Sequence, residues 1–344
     1  MNYSRDICIL SQDDLIKAGC FDMASAIDVC RQALTEYASG SVIFPDKVSV
    51  IFDEATQDRI NCLPAGLRSK NIYGMKWVSV FPENPHKRDL PNLSAVVLLS
   101  EMTSGFPVAF MEAALCSNMR TAAMSALAAS YLAIPDPKTI GFIGAGDQAK
   151  SHFLAMKAQF PGLERCFVAS RTETSENRFV EQMKKFHPDT EFIPCRGNYR
   201  SAAENADIII TAISGQEKLL QAPWIKDGSL YCHVGGLEDD FAVAEKASKI
   251  VCDDWNVVKH RTQTISQMYQ QGLLSDQRIY ADLHEIVTGK KPGRENEREF
   301  IYYNGVGLSY VDVALATWMY ETAAAKGFGQ QVNLLNKSMF DYSL

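Results

Sequence analysis

Lys76 and Arg120 are the two residues whose surroundings call for chemistry. Lys76 stands mid-strand in Gly-Met-Lys-Trp-Val-Ser-Val, and Arg120 stands in Cys-Ser-Asn-Met-Arg-Thr-Ala-Ala, among small residues. Burying either cation is costly unless an anion meets it. A guanidinium grips a carboxylate bidentately. An ammonium adds a point charge or, with its pKa lowered by desolvation, a proton. Arg120, read as opening a helix, would also oppose the macrodipole, and a bound anion would relieve both costs. The pattern predicts a site for a small carboxylate, with Lys76 and Arg120 as the catalytic pair. The competing expectation is an internal ion pair to Glu83, Glu101 or Glu112.

A second constellation is Thr139-Ile-Gly-Phe-Ile-Gly144-Ala-Gly146-Asp147-Gln148-Ala149. A β-branched run enters Gly-x-Gly-x-x-Ala and a helical pattern leaves it, as dinucleotide binding requires. Gly144 permits the tight turn, Gly146 lets backbone approach a pyrophosphate, and Ala149 lets helix and strand pack closely. About 20 residues on, where the ribose is read, Cys166-Phe-Val-Ala169 leads into Ser170-Arg171-Thr172. A cation beside hydroxyls suits a 2′-phosphate, so NADP(H) is favoured over NAD(H). On the opposite reading, Arg171 is a solvated loop cation and Glu173 or Glu176 serves NAD. Ala212, Val234 and Gly235, at the ends of later strands, complete the predicted cofactor edge.

These residues need elements to position them. From Lys138 the text alternates strand and helix, which argues for a parallel sheet covered on both faces. Its strands are Thr139–Ile143, Arg165–Ala169, Glu191–Pro194, Asp207–Ala212, Leu230–Val234 and Lys249–Val251, followed by helices around Trp255–Gln271. The first third reads as α+β. Ser11-Gln-Asp-Asp14 is a capping box, Asp22 caps a helix stopped by Gly40, and strands fall near 48–52, 73–80, 94–99 and 107–110. An alanine-rich helix runs from Asn118 to about Ala133, and a last helix from Tyr310 to about Lys326.

Bulk properties limit the classes. The 344 residues, 47% hydrophobic and 22% charged, describe a globular chain long enough for two domains. A net charge of −7 argues against nucleic acid or an anionic membrane as partner. No apolar stretch suits a membrane helix, and Met1-Asn-Tyr-Ser-Arg-Asp does not read as a signal peptide. Nine cysteines with no Cys-x-x-Cys pair suggest thiols in a reducing, cytoplasmic setting. Six scattered histidines predict no structural metal.

Taken in order, Lys76-Trp-Val-Ser-Val-Phe-Pro-Glu-Asn-Pro85, Thr103-Ser-Gly-Phe-Pro-Val-Ala109, Arg120-Thr-Ala-Ala-Met, Gly144-Ala-Gly-Asp-Gln-Ala149, Leu283-His-Glu-Ile-Val-Thr-Gly289 and Asn304-Gly-Val-Gly-Leu-Ser-Tyr-Val-Asp312 resemble the ornithine cyclodeaminase/μ-crystallin family over nearly the whole chain. The resemblance implies a Rossmann-type doubly wound sheet, expected over 126–314, inserted in an α+β substrate and dimerisation domain, expected over 1–125 and completed by 315–344. It implies a homodimer and a small amino- or imino-acid substrate. Carboxylate binding falls to Lys76 and Arg120, with Lys47 as a further cation. The pyrophosphate falls to Asp147, Gln148 and Thr121. Asn92 and Asn304 are candidates to orient substrate or nicotinamide; turn capping is the competing role.

One departure bears on the reaction. Cyclodeaminases of this family resemble one another in an aspartate after the fifth Rossmann strand, which handles protons during ammonia loss. The aligned residue here is Leu237, and the proline and glutamate usual in the next helix are replaced by Asp239 and Val243. The following acids, Glu238, Asp239 and Asp240, are expected to be a solvated helix start. The expectation is therefore an NAD(P)H-dependent reductase or dehydrogenase acting on a C–N bond, with cyclodeaminase and non-enzymatic NADPH-binding protein as the alternatives. Val48, Val50, Leu63 and Trp77 are expected to line the substrate pocket.

Overall fold

A computed structural model describes residues 5–53 and 56–341. The chain opens with β1 (Arg5–Leu10), α1 (Gln12–Lys17) and α2 (Met23–Ala38). Next come β2 (Val42–Ile43), β3 (Val48–Asp53), β4 (Asp58–Leu67), β5 (Ile72–Val80), α3 (Asn84–Lys87), β6 (Leu93–Glu101), β7 (Pro107–Glu112) and α4 (Ala114–Leu132). The alternating part holds β8 (Thr139–Ile143), α5 (Asp147–Gln159), β9 (Arg165–Ala169), α6 (Glu173–Phe186), β10 (Glu191–Pro194), α7 (Tyr199–Glu204), β11 (Ile208–Thr211), β12 (Leu230–His233), α8 (Phe241–Lys246) and β13 (Lys249–Cys252). Last come α9 (Trp255–Val258), α10 (Thr264–Gln270), β14 (Ile279–Asp282), α11 (Leu283–Val287), β15 (Ile301–Asn304), α12 (Ser309–Ala325) and β16 (Gln330–Leu335).

Two compact units form. The first comprises Met1–Asp22, Ser39–Arg120 and Ser309–Leu344. Its sheet runs β16-β1-β7-β6-β5-β4-β2, with β3 paired to β4; among the described residues only β1 and β7 are parallel. Strand alternation sorts β5 cleanly, since Gly74, Lys76 and Val78 are buried while Trp77 is 43% exposed. The buried face is covered by α12, which packs on β4, β5 and β6. Gly74 makes that approach possible: a Cβ there would lie 2.8 Å from a Leu99 methyl and 3.1 Å from Val313 of α12. At the unit's start Ser11 caps α1 in the capping box read from the sequence.

The second unit comprises Met23–Ala38 and Thr121–Leu308. Its eight strands are all parallel, in the order β10-β9-β8-β11-β12-β15-β13-β14, the doubly wound arrangement expected. β8, β11, β12 and β13 are buried at every position, which explains why their texts are mostly apolar, with polar residues confined to strand ends.

The unit boundaries differ from the sequence reading. The expected first domain included 23–38, yet α2 packs its apolar face on α5 and α11 and belongs to the second unit. The other divisions fall inside α4, after Arg120, and at Ser309 instead of 315. The helices expected around 255–271 are two short ones, α9 and α10, with Asp254 capping the first. Among the described residues no helix is long and apolar enough to cross a membrane, and none of the nine cysteines is in a disulfide.

Candidate active site

In the first unit the buried Lys76 finds a carboxylate. Its Nζ lies 2.5 Å from Oδ1 of Asp312 on α12, and Arg120 Nε lies 2.8 Å from the same oxygen. Lys76 and Asp312 are fully buried, while the Arg120 side chain is 14% exposed. Asp312 Oδ2 has no hydrogen-bond partner among the described residues. The internal ion pair held as the competing expectation is therefore present, although Asp312 supplies its acid and not Glu83, Glu101 or Glu112. Glu112 instead caps α4 by accepting from the N–H groups of Ala114 and Leu115, and burial raises its pKa. That helix begins at Ala114, so Arg120 sits in its second turn and the macrodipole argument does not apply. Asp312 was missed as a partner. Its signal was a lone acid in the apolar run Tyr-Val-Asp-Val-Ala-Leu-Ala.

Burial pulls the Lys76 pKa down and the neighbouring Arg120 charge adds to this, while Asp312 opposes both; the net direction is downward. The Cys116 thiol, which donates to the Asp312 backbone carbonyl (3.6 Å), is pushed up to about 12 by burial and the Asp312 charge. Cys116 is therefore a packing residue. Native protein treated with iodoacetamide at mildly alkaline pH is expected to show no adduct at Cys116 by peptide mass spectrometry, and unfolded protein full labelling. Rapid native labelling would contradict this environment.

Register places the remaining first-unit candidates. Leu63 pairs directly with Lys76 and shares its face, whereas Trp77 points to the other face. Val48 pairs with Cys62, itself opposite Trp77, and Val50 pairs with Ile60, so both also lie on that exposed face. Of the four expected pocket residues, only Leu63 stands beside Lys76. Lys47 immediately precedes β3, and one further step of its register sets Lys47 opposite Leu63. Asn92 lies just before β6, with its carbonyl accepting from Phe81 N–H (2.8 Å).

The second unit carries the glycine turn at the carboxyl edge of its sheet. Gly144 has φ +110°, and a Cβ there would lie 2.3 Å from the Ala212 carbonyl. Around Gly146, the N-cap of α5, nothing lies within 4 Å of the Cβ position, which leaves the backbone N–H groups approachable. Ala149 is buried against the strand. Asp147 pairs with Lys150 (2.9 Å), and the Gln148 carbonyl bonds His152 Nδ1 (2.7 Å). Thr121 lies within α4. Tight turn, open second glycine and small third residue together fit a dinucleotide.

Beyond β9, the Ser170 hydroxyl donates to the Thr172 carbonyl (2.9 Å), and Thr172 Oγ1 caps α6 through Ser175 N–H (3.3 Å). Both hydroxyls offered for a phosphate thus have structural duties, and Arg171 is exposed. Glu176, the alternative ribose acceptor, is fully buried.

The acids after β12 are not a solvated helix start. Glu238 and Asp239 are completely buried; only Asp240 acts as the N-cap of α8. Glu238 Oε1 accepts from Ile213 N–H (2.6 Å), and Oε2 from Thr211 Oγ1 (2.6 Å) and Gly235 N–H (2.8 Å). Asp239 Oδ1 accepts from Thr264 Oγ1 (2.6 Å) and faces His233 Nδ1 (2.9 Å). Burial alone would depress His233, but Asp239 and Glu238 more than offset it and its pKa is raised. Asn304, also fully buried, donates to Gln263 Oε1 (2.9 Å), and Gln263 Nε2 donates to the Gly235 and Gly305 carbonyls. Ala212, Val234, Gly235 and Asn304 accordingly all lie at the carboxyl ends of central strands.

A doubly wound sheet with this turn defines a dinucleotide-binding class of protein, and the first unit carries a buried lysine and an arginine on one carboxylate. The chain belongs to the ornithine cyclodeaminase/mu-crystallin family, whose pattern matches residues 12–327. It is 30% identical over 335 residues to an N-((2S)-2-amino-2-carboxyethyl)-L-glutamate dehydrogenase of Staphylococcus aureus, covering 96% of this chain and 99% of that one. Its structure resembles that of the Δ1-pyrroline-2-carboxylate reductase of Thermococcus litoralis in complex with NADH and L-proline. There the TM-score is 0.90 and the identity 32%, with 95% and 100% of the two chains covered. An archaeal alanine dehydrogenase dimer with bound NAD matches at TM-score 0.87 and 27% identity, with 96% and 100% covered. These relatives are named as reductases or dehydrogenases of amino or imino acids, and the two solved structures hold NADH or NAD.

Proposed function

We propose that this chain is an NADP(H)-linked reductase or dehydrogenase acting on the C–N bond of an α-amino or α-imino acid, and that it works as a cytoplasmic homodimer. The observation that carries the reading is the fate of the acids near Leu237. Glu238 and Asp239 are fully buried; donors hold both oxygens of Glu238 and Oδ1 of Asp239, while Asp239 Oδ2 has no partner among the described residues, so both acids are fixed inside the fold, whereas the cyclodeaminase aspartate must reach a substrate amine. What remains is an anion clamp and a dinucleotide turn.

A nicotinamide dinucleotide, when bound, supplies or accepts the hydride. Arg120 and Lys76, with Lys47 in the same row of the sheet, hold the substrate carboxylate. Their fixed placement contributes the orientation on which such reactions depend. Lys76, with its lowered pKa, is the residue to carry a proton to or from the substrate nitrogen, and Asp312 keeps that proton in place. The exposed face of the first sheet supports the dimer. Ile9, Phe110, Leu98 and Trp77 stand on neighbouring strands and are each exposed by more than a third, an apolar stripe of the kind that marks an interface.

Stoichiometry tests the reading. Cyclic imino acids, or keto acids with amines, are expected to oxidise NADPH mole for mole. Ammonia released from ornithine or lysine with no net change in reduced nicotinamide would overturn it in favour of a lyase.

A further inference from the structure

We propose that Arg196, on the loop after β10, forms with Arg171 a two-arginine clamp for the 2′-phosphate of NADP(H), and that buried Glu176 is the positioning residue that locks the two loops together. The proposal rests on the reading that the chain prefers NADP(H).

Glu176 lies on α6 with no exposed surface. Its Oε1 accepts from Ser170 N–H and from Gly197 N–H, both at 2.8 Å, and its Oε2 accepts from Arg196 N–H at 2.7 Å. One carboxylate thereby ties the loop leaving β9 to the loop leaving β10. Strand register agrees: Pro194 pairs with Val168, and Cys195 N–H donates to the Val168 carbonyl (2.8 Å). Arg171 and Arg196 each follow by one residue a backbone position at the carboxyl edge of adjacent strands. That is where a doubly wound fold reads the ribose.

The backbone around Arg196 is unusual. Arg196 has φ +53° and Gly197 φ +73°, two consecutive left-handed residues, and an arginine gains nothing locally from that conformation. Glu176 holds it there through the two N–H bonds. The strained loop lies against the β9 loop, where a Cβ on Gly197 would be 3.7 Å from the Ser170 carbonyl, and the strain is understandable when a ligand uses the cation it carries. Both side chains are exposed, and neither forms an ion pair among the described residues, whereas nearby Arg200 is paired with Glu204 (2.8 Å). Arg171 is close enough to act on the Tyr199 phenol, three residues beyond Arg196. Two unpaired guanidiniums on loops joined by a buried anchor suit a dianionic phosphate monoester, which each can grip bidentately. The same anchor explains why Glu176 cannot serve NAD: both its oxygens already receive backbone donors.

Dissociation constants for NADPH, NADH, 2′,5′-ADP and 5′-AMP, measured by titration calorimetry on the full chain, test this. Wild type is expected to bind NADPH and 2′,5′-ADP more tightly than NADH and 5′-AMP. Arg171→Ala and Arg196→Ala should each weaken NADPH and 2′,5′-ADP about tenfold, with NADH within about twofold, and the double variant should lose the preference. Arg196→Lys should recover part of it. Glu176→Gln should lower the NADPH/NADH ratio with no change at the arginines themselves. Wild type binding NADH as tightly as NADPH would overturn the NADP reading itself. A preference that Arg171→Ala abolishes and Arg196→Ala leaves intact would overturn the clamp while that reading stands.

Discussion

Lys76→Met and Arg120→Leu are each expected to lower kcat/KM by about a thousandfold or more while leaving the NADPH dissociation constant within about threefold. The clamp belongs to the first unit and the glycine turn to the second, so substrate and cofactor binding should separate under mutation. Asp312→Asn sharpens the test. Asp312 supplies the main opposition to the two causes that depress Lys76, with a lesser push from Cys116, so its neutralisation should depress that pKa further. A lysine that must be charged then fails sooner as pH rises, and the alkaline limb of kcat/KM should move to lower pH. A purely structural Asp312 would change the height of that profile and leave its position alone. Stability should fall as well, by about 3–5 kcal/mol, because removing one partner of a buried ion pair strands the other. Activity close to wild type in Lys76→Met would remove the clamp from the mechanism.

What the sequence disclosed, and what it hid, follows from the range of each interaction. The glycine turn, the capping box at Ser11 and the mostly apolar strands β8, β11 and β12 are local patterns, set within a few residues, and they were legible. Strand β15 lies between β12 and β13 in the sheet, although α9–α11 and β14 separate it from them in sequence, and nothing in Ile-Tyr-Tyr-Asn announces that insertion. The buried Lys76–Asp312 pair was half legible. A lysine among apolar strand residues signals a buried charge, but its partner is 236 residues away and shares no local pattern with it. The pocket lining failed for a simpler reason: Trp77 adjoins Lys76 in sequence, and adjacency in a strand means opposite faces. Glu176 and Glu238 misled in the same way. Each reads as a surface acid beside other charges, and each is consumed by backbone N–H groups supplied from other loops, which only the tertiary fold assembles.

Glu238→Gln is expected to destabilise the protein by about 3 kcal/mol or more, with a matching fall in the denaturant midpoint. Every group touching this side chain on the backbone or at Thr211 donates: Ile213 N–H on one oxygen, Thr211 Oγ1 and Gly235 N–H on the other. A glutamine must turn its NH2 toward one side or the other, so at least one buried donor meets a donor. The swap also removes a carboxylate that helps to raise the His233 pKa. Thr211→Val deletes one donor and leaves Oε2 its bond to Gly235, so it should cost only about 1 kcal/mol. Leu237→Ala, one residue away and only partly buried, serves as the control and should cost less than about 2 kcal/mol. Because Ile213 and Gly235 follow β11 and β12 at the cofactor edge, Glu238→Gln should also weaken NADPH binding in protein that is still folded, an effect Leu237→Ala should lack. An unchanged midpoint in Glu238→Gln would mean that the carboxylate is not the acceptor at the centre of this junction.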